Sequence, residues 1–126
     1  MTKLVLVLVD DDALLLRVLL RGIGDAVEVV GAADAETAKA IINGRRVDVV
    51  VSDFNMAGGT GVQLLKWVRD HHHRIGRVLM SGFPQQLVAD GVVAAEIAHA
   101  VLQKPFETDE LLAVVKSVAP FRDGTP

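Results

Sequence analysis

Cysteine is absent from the 126 residues, so neither a disulfide framework nor a thiolate metal site can form, and the composition fits a reducing compartment. Aromatic residues make up 4% of the chain, with no tyrosine and one tryptophan, and lysine and arginine form no long run in a chain of net charge -3. Those shortages remove the stacking surface and the positive footprint that a nucleic-acid binder uses. No apolar stretch approaches the roughly 20 residues of a membrane-spanning helix. The apolar run after Met1-Thr2-Lys3 ends in acids too early for a signal-peptide core and is followed by no small-residue cleavage pattern. The expectation is a cytoplasmic chain that binds neither nucleic acid nor membrane. Linkers, repeats and low-complexity segments are missing too, and the length suits one core rather than two. The expected organisation is therefore a single domain over residues 1–120 and a flexible tail at 121–126.

What is present is hydrophobic residues at 51%, gathered into short runs. Candidate strands are Leu4 to Val9, Val47 to Val51, Val78 to Met80 and Ala98 to Leu102, with a weaker one at Val27 to Ala32. The first and third of these runs show no polar–apolar alternation, which predicts strands buried on both faces of a parallel sheet. Helices must then cover both sides. They are expected at Ala13 to Arg21, at Ala35 to Asn43 behind an Asp34 cap, at Val62 to Arg69 after Gly61, and near Pro84. The last helix is marked by Leu111, Val115 and Val118 at i, i+4, i+7, with Thr108 or Asp109 as cap. Five alternations of strand and helix predict an α/β fold with right-handed crossovers, a doubly wound five-stranded parallel sheet whose ligand site lies at the carboxyl ends of its strands.

On that layout the informative polar residues fall at strand ends: Asp10 and Asp11 after the first strand, Asp53 after the third, Ser81 after the fourth and Lys104 after the fifth. The run of acids at residues 10–12 becomes intelligible as half of a cation site that Asp53 completes. Hard oxygen donors of this kind suit Mg²⁺. A carboxylate at Asp53 can attack phosphorus and give an acyl phosphate when a cation and a lysine neutralise the transferring oxygens, and Ser81 would then donate a hydrogen bond to one of them.

VDDD at residues 9–12, DFNMAGGTG at 53–61, LMSG at 79–82 and LQKPF at 102–106 stand in the order and spacing of the receiver domains of two-component response regulators, and the chain resembles that family over nearly its whole length. The resemblance implies a flavodoxin-like (βα)5 fold, chemotaxis-regulator-like, and a phosphoryl group taken from a histidine kinase or histidine phosphotransfer protein. Carried over by position, Asp53 is similar to the phosphoacceptor. Asp11 matches the direct Mg²⁺ ligand, Asp10 its partner acting largely through water, and Asn55 a backbone carbonyl ligand. Ser81 matches the switch hydroxyl and Lys104 the phosphate-binding lysine, with Lys104-Pro105 at the family's cis peptide, which would aim the lysine inward. The resemblance also implies a phosphoacceptor that switches protein contacts, rather than an enzyme. LMSGF and LQKPF are similar in wording to receivers of hybrid histidine kinases.

Two positions depart from the pattern: Ala57 replaces the usual proline, and Val101 replaces the aromatic residue whose ring turns inward when the hydroxyl residue moves. In the family, the positions matching Asn55 and Phe83 flank the path of the water that hydrolyses the acyl phosphate. An apolar ring at Phe83 offers that water no hydrogen bond and predicts slow loss; the alternative is that Phe83 packs against the following helix. Asp12 reads as a helix cap, His71 to His73 as a solvated run, and Gly58, Gly59 and Gly61 as a flexible loop, because no GK[ST] follows to make a phosphate-binding P-loop. Asp10 and Asp12 also form a D-x-D similar to that of haloacid-dehalogenase-type phosphatases, in which Asp10 would be the nucleophile, although Leu14 replaces the expected hydroxyl residue. A receiver serving only as a binding module is the third alternative.

Overall fold

The computed structural model describes residues 3–23, 27–56 and 59–120; the expected tail at 121–126 and the loop residues Ala57 and Gly58 lie outside the described residues. The elements run β1 (Leu4–Val9), α1 (Ala13–Gly22), β2 (Val27–Ala32), α2 (Ala35–Gly44), β3 (Val49–Asp53), β4 (Asn55–Met56), β5 (Gly59–Thr60), α3 (Gly61–His71), β6 (Gly76–Ser81), α4 (Pro84–Ala89), β7 (Ala100–Gln103) and α5 (Thr108–Val118). Five strands form one parallel sheet in the order β2-β1-β3-β6-β7. The chain leaves β1 for β2 on one side and returns to β3 on the other, so the topological switch lies between β1 and β3.

The unbroken apolar runs follow from two cores, one on each face of the sheet. Leu6, Leu8, Val49, Val51, Val78 and Met80 point to one face, where Leu19 of α1 and Leu111 and Val115 of α5 meet them. Val5, Val7, Val9, Val50 and Leu79 point to the other, against Ala38 and Ile42 of α2, Leu64, Leu65 and Val68 of α3, and Leu87 of α4. Successive residues of a strand alternate in direction, so a strand covered on both sides must be apolar at every position. Each fully buried leucine contributes roughly 1.5–3 kcal/mol of transfer free energy. Among the described residues no helix is long and apolar enough to cross a membrane.

Helix starts follow the sequence in most cases. Asp12 Oδ1 accepts from the backbone N–H groups of Leu14 and Leu15, and Asp34 Oδ1 from that of Thr37, so both act as the expected caps. Pro84 occupies the first turn of α4. The cap of α5 is Glu107 instead of Thr108 or Asp109; its backbone N–H donates to Glu110 Oε1 at 2.9 Å, and the helix begins at Thr108 itself. The third strand starts at Val49, two residues later than expected, because Val47 and Asp48 are buried as an entry segment in which Asp48 Oδ2 accepts from the N–H of Val5. The short antiparallel pair β4 and β5 was not foreseen.

Two ionisable side chains, Asp48 and Arg77, are buried far from the carboxyl edge. Arg77, 3% exposed, donates to the backbone carbonyls of His73, Ile75, Glu96 and Ile97. It ties the entry of β6 to the turn after α4, in which Glu96 holds a left-handed φ of 59°.

Candidate functional site

The backbone N–H of Asp10 donates to the carbonyl of Ala32, which extends the sheet by one rung and fixes the acid over the switch point. Its side chain is 1% exposed: Oδ1 accepts from the N–H of Asp12 at 2.9 Å, and Oδ2 from Lys104 Nζ at 2.9 Å. Lys104 also donates to Asp53 Oδ1 at 2.9 Å. The bond between Lys104 and Pro105 is cis, as the motif implied. Asp11 is exposed, and one oxygen from each of Asp10, Asp11 and Asp53 lies within 4.8 Å of the others. Among the described residues three carboxylates thus gather where one ammonium bonds two of them, so negative charge is in excess there. Burial alone would pull the Lys104 ammonium down, but its hydrogen bonds to Asp53 and Asp10 and their charges outweigh burial and hold it above its ordinary 10.5.

Ser81 ends β6 beside Asp53 at the end of β3, and is 6% exposed. Its Oγ accepts from the N–H of Phe83 at 2.9 Å, which leaves the hydroxyl proton to donate elsewhere. Ser81, Asp53, Asn55 and Phe83 line one cavity of about 560 Å³ whose far wall is Gln86, Leu87 and Asp90. Phe83 is 78% exposed at this wall, so it does not pack away against α4. Val101 is half-buried in β7 and packs into the core on the face that holds Leu87.

The loop after Asp53 is held by residues that sequence reasoning passed over. Phe54 N–H donates to the carbonyl of Met80 at 3.0 Å, and Gly61 N–H to that of Phe54 at 2.8 Å. A Cβ at residue 61 would collide with the carbonyl oxygen of Asp53 and lie 2.8 Å from Leu79 Cδ1, so this glycine serves close packing and not the flexibility expected of it. Thr60 and Gln63 form a reciprocal capping box on α3, a signal legible as T-x-x-Q. Among the described residues the histidine run forms no cluster of ligating atoms: His71 Nδ1 contacts the carbonyl of Trp67, His72 Nε2 contacts Asn43 Oδ1, and His73 is exposed.

The fold and site define a doubly wound α/β protein with an acidic pocket and one lysine at the carboxyl edge of its sheet. The profile of the response regulator receiver domain family matches residues 6–116, and the chain belongs to that family, the receiver domains of two-component systems. It is 33% identical over 110 residues to the hydrogenase transcriptional regulatory protein HoxA of Cupriavidus necator, covering 86% of this chain and 22% of that protein. Sporulation initiation phosphotransferase F of Bacillus subtilis is 24% identical over 121 residues, covering 94% of this chain and 96% of that one. The chain thus spans about a fifth of the transcriptional regulator and nearly all of the phosphotransferase. Among solved structures, the chemotaxis response regulator CheY4 of Vibrio cholerae superposes with a TM-score of 0.79 at 27% identity, over 93% of this chain and 99% of that one. Receiver domains bind Mg²⁺ at an acidic pocket and interact with histidine kinases or phosphotransfer proteins.

Proposed function

We propose that this chain takes a phosphoryl group onto Asp53 from the phosphohistidine of a histidine kinase or phosphotransfer protein, and uses it to switch protein contacts. The observation that carries the reading is the unequal state of the two acids that Lys104 touches. Both oxygens of Asp10 are engaged and the residue is closed off, whereas Asp53 shares one oxygen with Lys104 and borders the cavity with Ser81. Asp53 is therefore the acid free to act as nucleophile, and the phosphatase reading, which needs Asp10 in that role, is disfavoured.

The donor set fits Mg²⁺. One oxygen from each of Asp10, Asp11 and Asp53 lies within reach of the others. Asp11 and Asp53 would supply hard carboxylate oxygens directly, Asp10, with both oxygens already engaged, would act largely through water, and Asn55, two residues past Asp53, is assigned a backbone carbonyl ligand. When bound, the ion neutralises charge on the phosphoryl oxygens. Asp53 forms the new O–P bond while the N–P bond of the donor breaks, and the departing imidazole keeps the electron pair. Lys104 shields the phosphoryl charge, and the free Ser81 proton donates to a phosphoryl oxygen. Movement of Ser81 pulls on residues 82–91, so α4 and the half-buried Val101 carry the output. The chain is a stoichiometric acceptor with slow self-dephosphorylation, not an enzyme; this reading takes residues 1–120 as the receiver unit and goes with a cytoplasmic location.

Incubation with radiolabelled acetyl phosphate and Mg²⁺, followed by peptide mapping, tests the assignment. Label on Asp53 is expected. Label on Asp10 would restore the phosphatase reading, and no label with partner binding unchanged would favour a binding module. Amide exchange over residues 82–91 should change on adding beryllofluoride, an acyl-phosphate mimic; identical exchange would mean that Val101 uncouples the switch.

A further inference from the structure

The amino ends of β3 and β6 carry a second cavity, of about 360 Å³, at the opposite edge of the sheet from Asp53. Two short basic segments meet there. Arg45 and Arg46 come from the connection between α2 and β3; His72, His73 and Arg74 come from the connection between α3 and β6. The floor is Ile42, Val47 and Ile75, all buried. Among the described residues no carboxylate lines the cavity, although the chain as a whole is acidic.

The arginines differ in how far they are already satisfied. Arg45 pairs with Glu28 at 2.9 Å. Arg46 makes one contact, at 3.3 Å, to the carbonyl of Lys3, and Arg74 pairs with no acid among the described residues. Two exposed guanidinium groups thus keep most of their donors, and a guanidinium presents those donors in the forked geometry that suits a phosphate oxygen pair. The apolar floor beneath them lowers the local dielectric and gives an apolar group a place to rest.

We propose that this cavity binds a phosphomonoester dianion, with its phosphate between Arg46 and Arg74 and a compact apolar body on Ile42, Val47 and Ile75. A dianion is favoured over a carboxylate because two uncompensated cations converge on one mouth. A small molecule is favoured over a nucleic-acid strand because the charge is confined to one cavity and, among the described residues, no phenylalanine, tyrosine or tryptophan lines it to stack successive bases. The inference does not rest on the phosphoacceptor reading, since none of the residues at the carboxyl edge takes part.

The test is titration of the full chain, without Mg²⁺ and as the Asp53→Asn variant, with phenyl phosphate, inorganic phosphate, benzoate and a DNA duplex, followed by amide chemical shifts. Phenyl phosphate is expected to shift residues 45–47 and 72–75 and to bind more tightly than inorganic phosphate, with benzoate weaker than either. Arg46→Ala and Arg74→Ala should each weaken phenyl phosphate about tenfold, the scale of one charged hydrogen bond. Lys116→Ala, an exposed change of equal charge on α5, should leave binding unchanged. Shifts confined to residues 10–12, 53 and 104, equal binding of benzoate, loss in Lys116→Ala to the same degree, or a duplex that outcompetes phenyl phosphate would each overturn the proposal.

Discussion

Lys104 Nζ lies 2.9 Å from Asp53 Oδ1, joining two residues 51 positions apart in the chain. The same ammonium holds Asp10, so one cation sets the geometry of both acids. Removing it would leave two carboxylates facing each other, one of them buried, without compensation.

Asp53→Asn should abolish labelling by acetyl phosphate while keeping the fold, since the amide keeps the shape and the oxygen that Lys104 contacts. Intact protein mass and far-UV circular dichroism, measured together, check both halves. A variant that still labels fully would remove Asp53 from the role assigned to it.

Mg²⁺ should raise the thermal midpoint, because a ligand that binds only the folded chain stabilises it by roughly 2.7 kcal/mol at a hundredfold excess over its dissociation constant. Asp11→Ala should lose most of that gain, and a chelator should reverse it in the parent. A midpoint indifferent to Mg²⁺ in both proteins would count against the acidic cluster as a cation site.

Gly61→Ala should destabilise the fold by about 1–3 kcal/mol, as overpacking does, because the added carbon meets the fixed backbone carbonyl of Asp53. Urea unfolding gives the stability change. Phosphorylation should slow as well, since the clash displaces the acceptor; an unchanged labelling rate would show that the loop yields without moving Asp53.

Stability should fall on mild acidification through His99. Burial first and the neighbouring Arg77 second hold this imidazole below its ordinary 6.5, and its Nδ1 accepts from the Arg77 N–H at 3.0 Å. The unfolded chain therefore binds the proton more readily, so the contribution is present above 6.5 and is lost as pH falls below it. The ring is partly in water, which keeps the effect small. Urea midpoints on either side of pH 6.5 should differ less in His99→Gln than in the parent, and an equal difference would place the pH dependence elsewhere.

Phe83→Glu should speed loss of the phosphoryl group from Asp53 after the donor is removed. The ring is exposed at the cavity that Asp53 borders, where a carboxylate would orient a water that the apolar ring does not. Decay that is unchanged or slower would mean that Phe83 does not guard the path.

The runs LVLVLV and VLM carry their own explanation, since only a strand covered on both faces is apolar at every position, and that requirement gave the sheet, the helices on both sides and the edge where Asp10, Asp53, Ser81 and Lys104 meet. Local chemistry likewise marked Asp12, Asp34 and Pro84 as helix starts, because a cap bonds to backbone groups two or three residues away. Distance-dependent facts were decided elsewhere. Gly61 reads as loop flexibility until Asp53 is seen against it, and Phe83 is neither packed nor exposed until α4 has a place. Arg45-Arg46 and His72-His73-Arg74 are unremarkable apart, and they form one basic mouth because β3 and β6 are neighbours whose amino ends share an edge. Sequence determines what each segment buries and how it begins; only tertiary structure brings separated charges to within the few ångströms over which they act on one another.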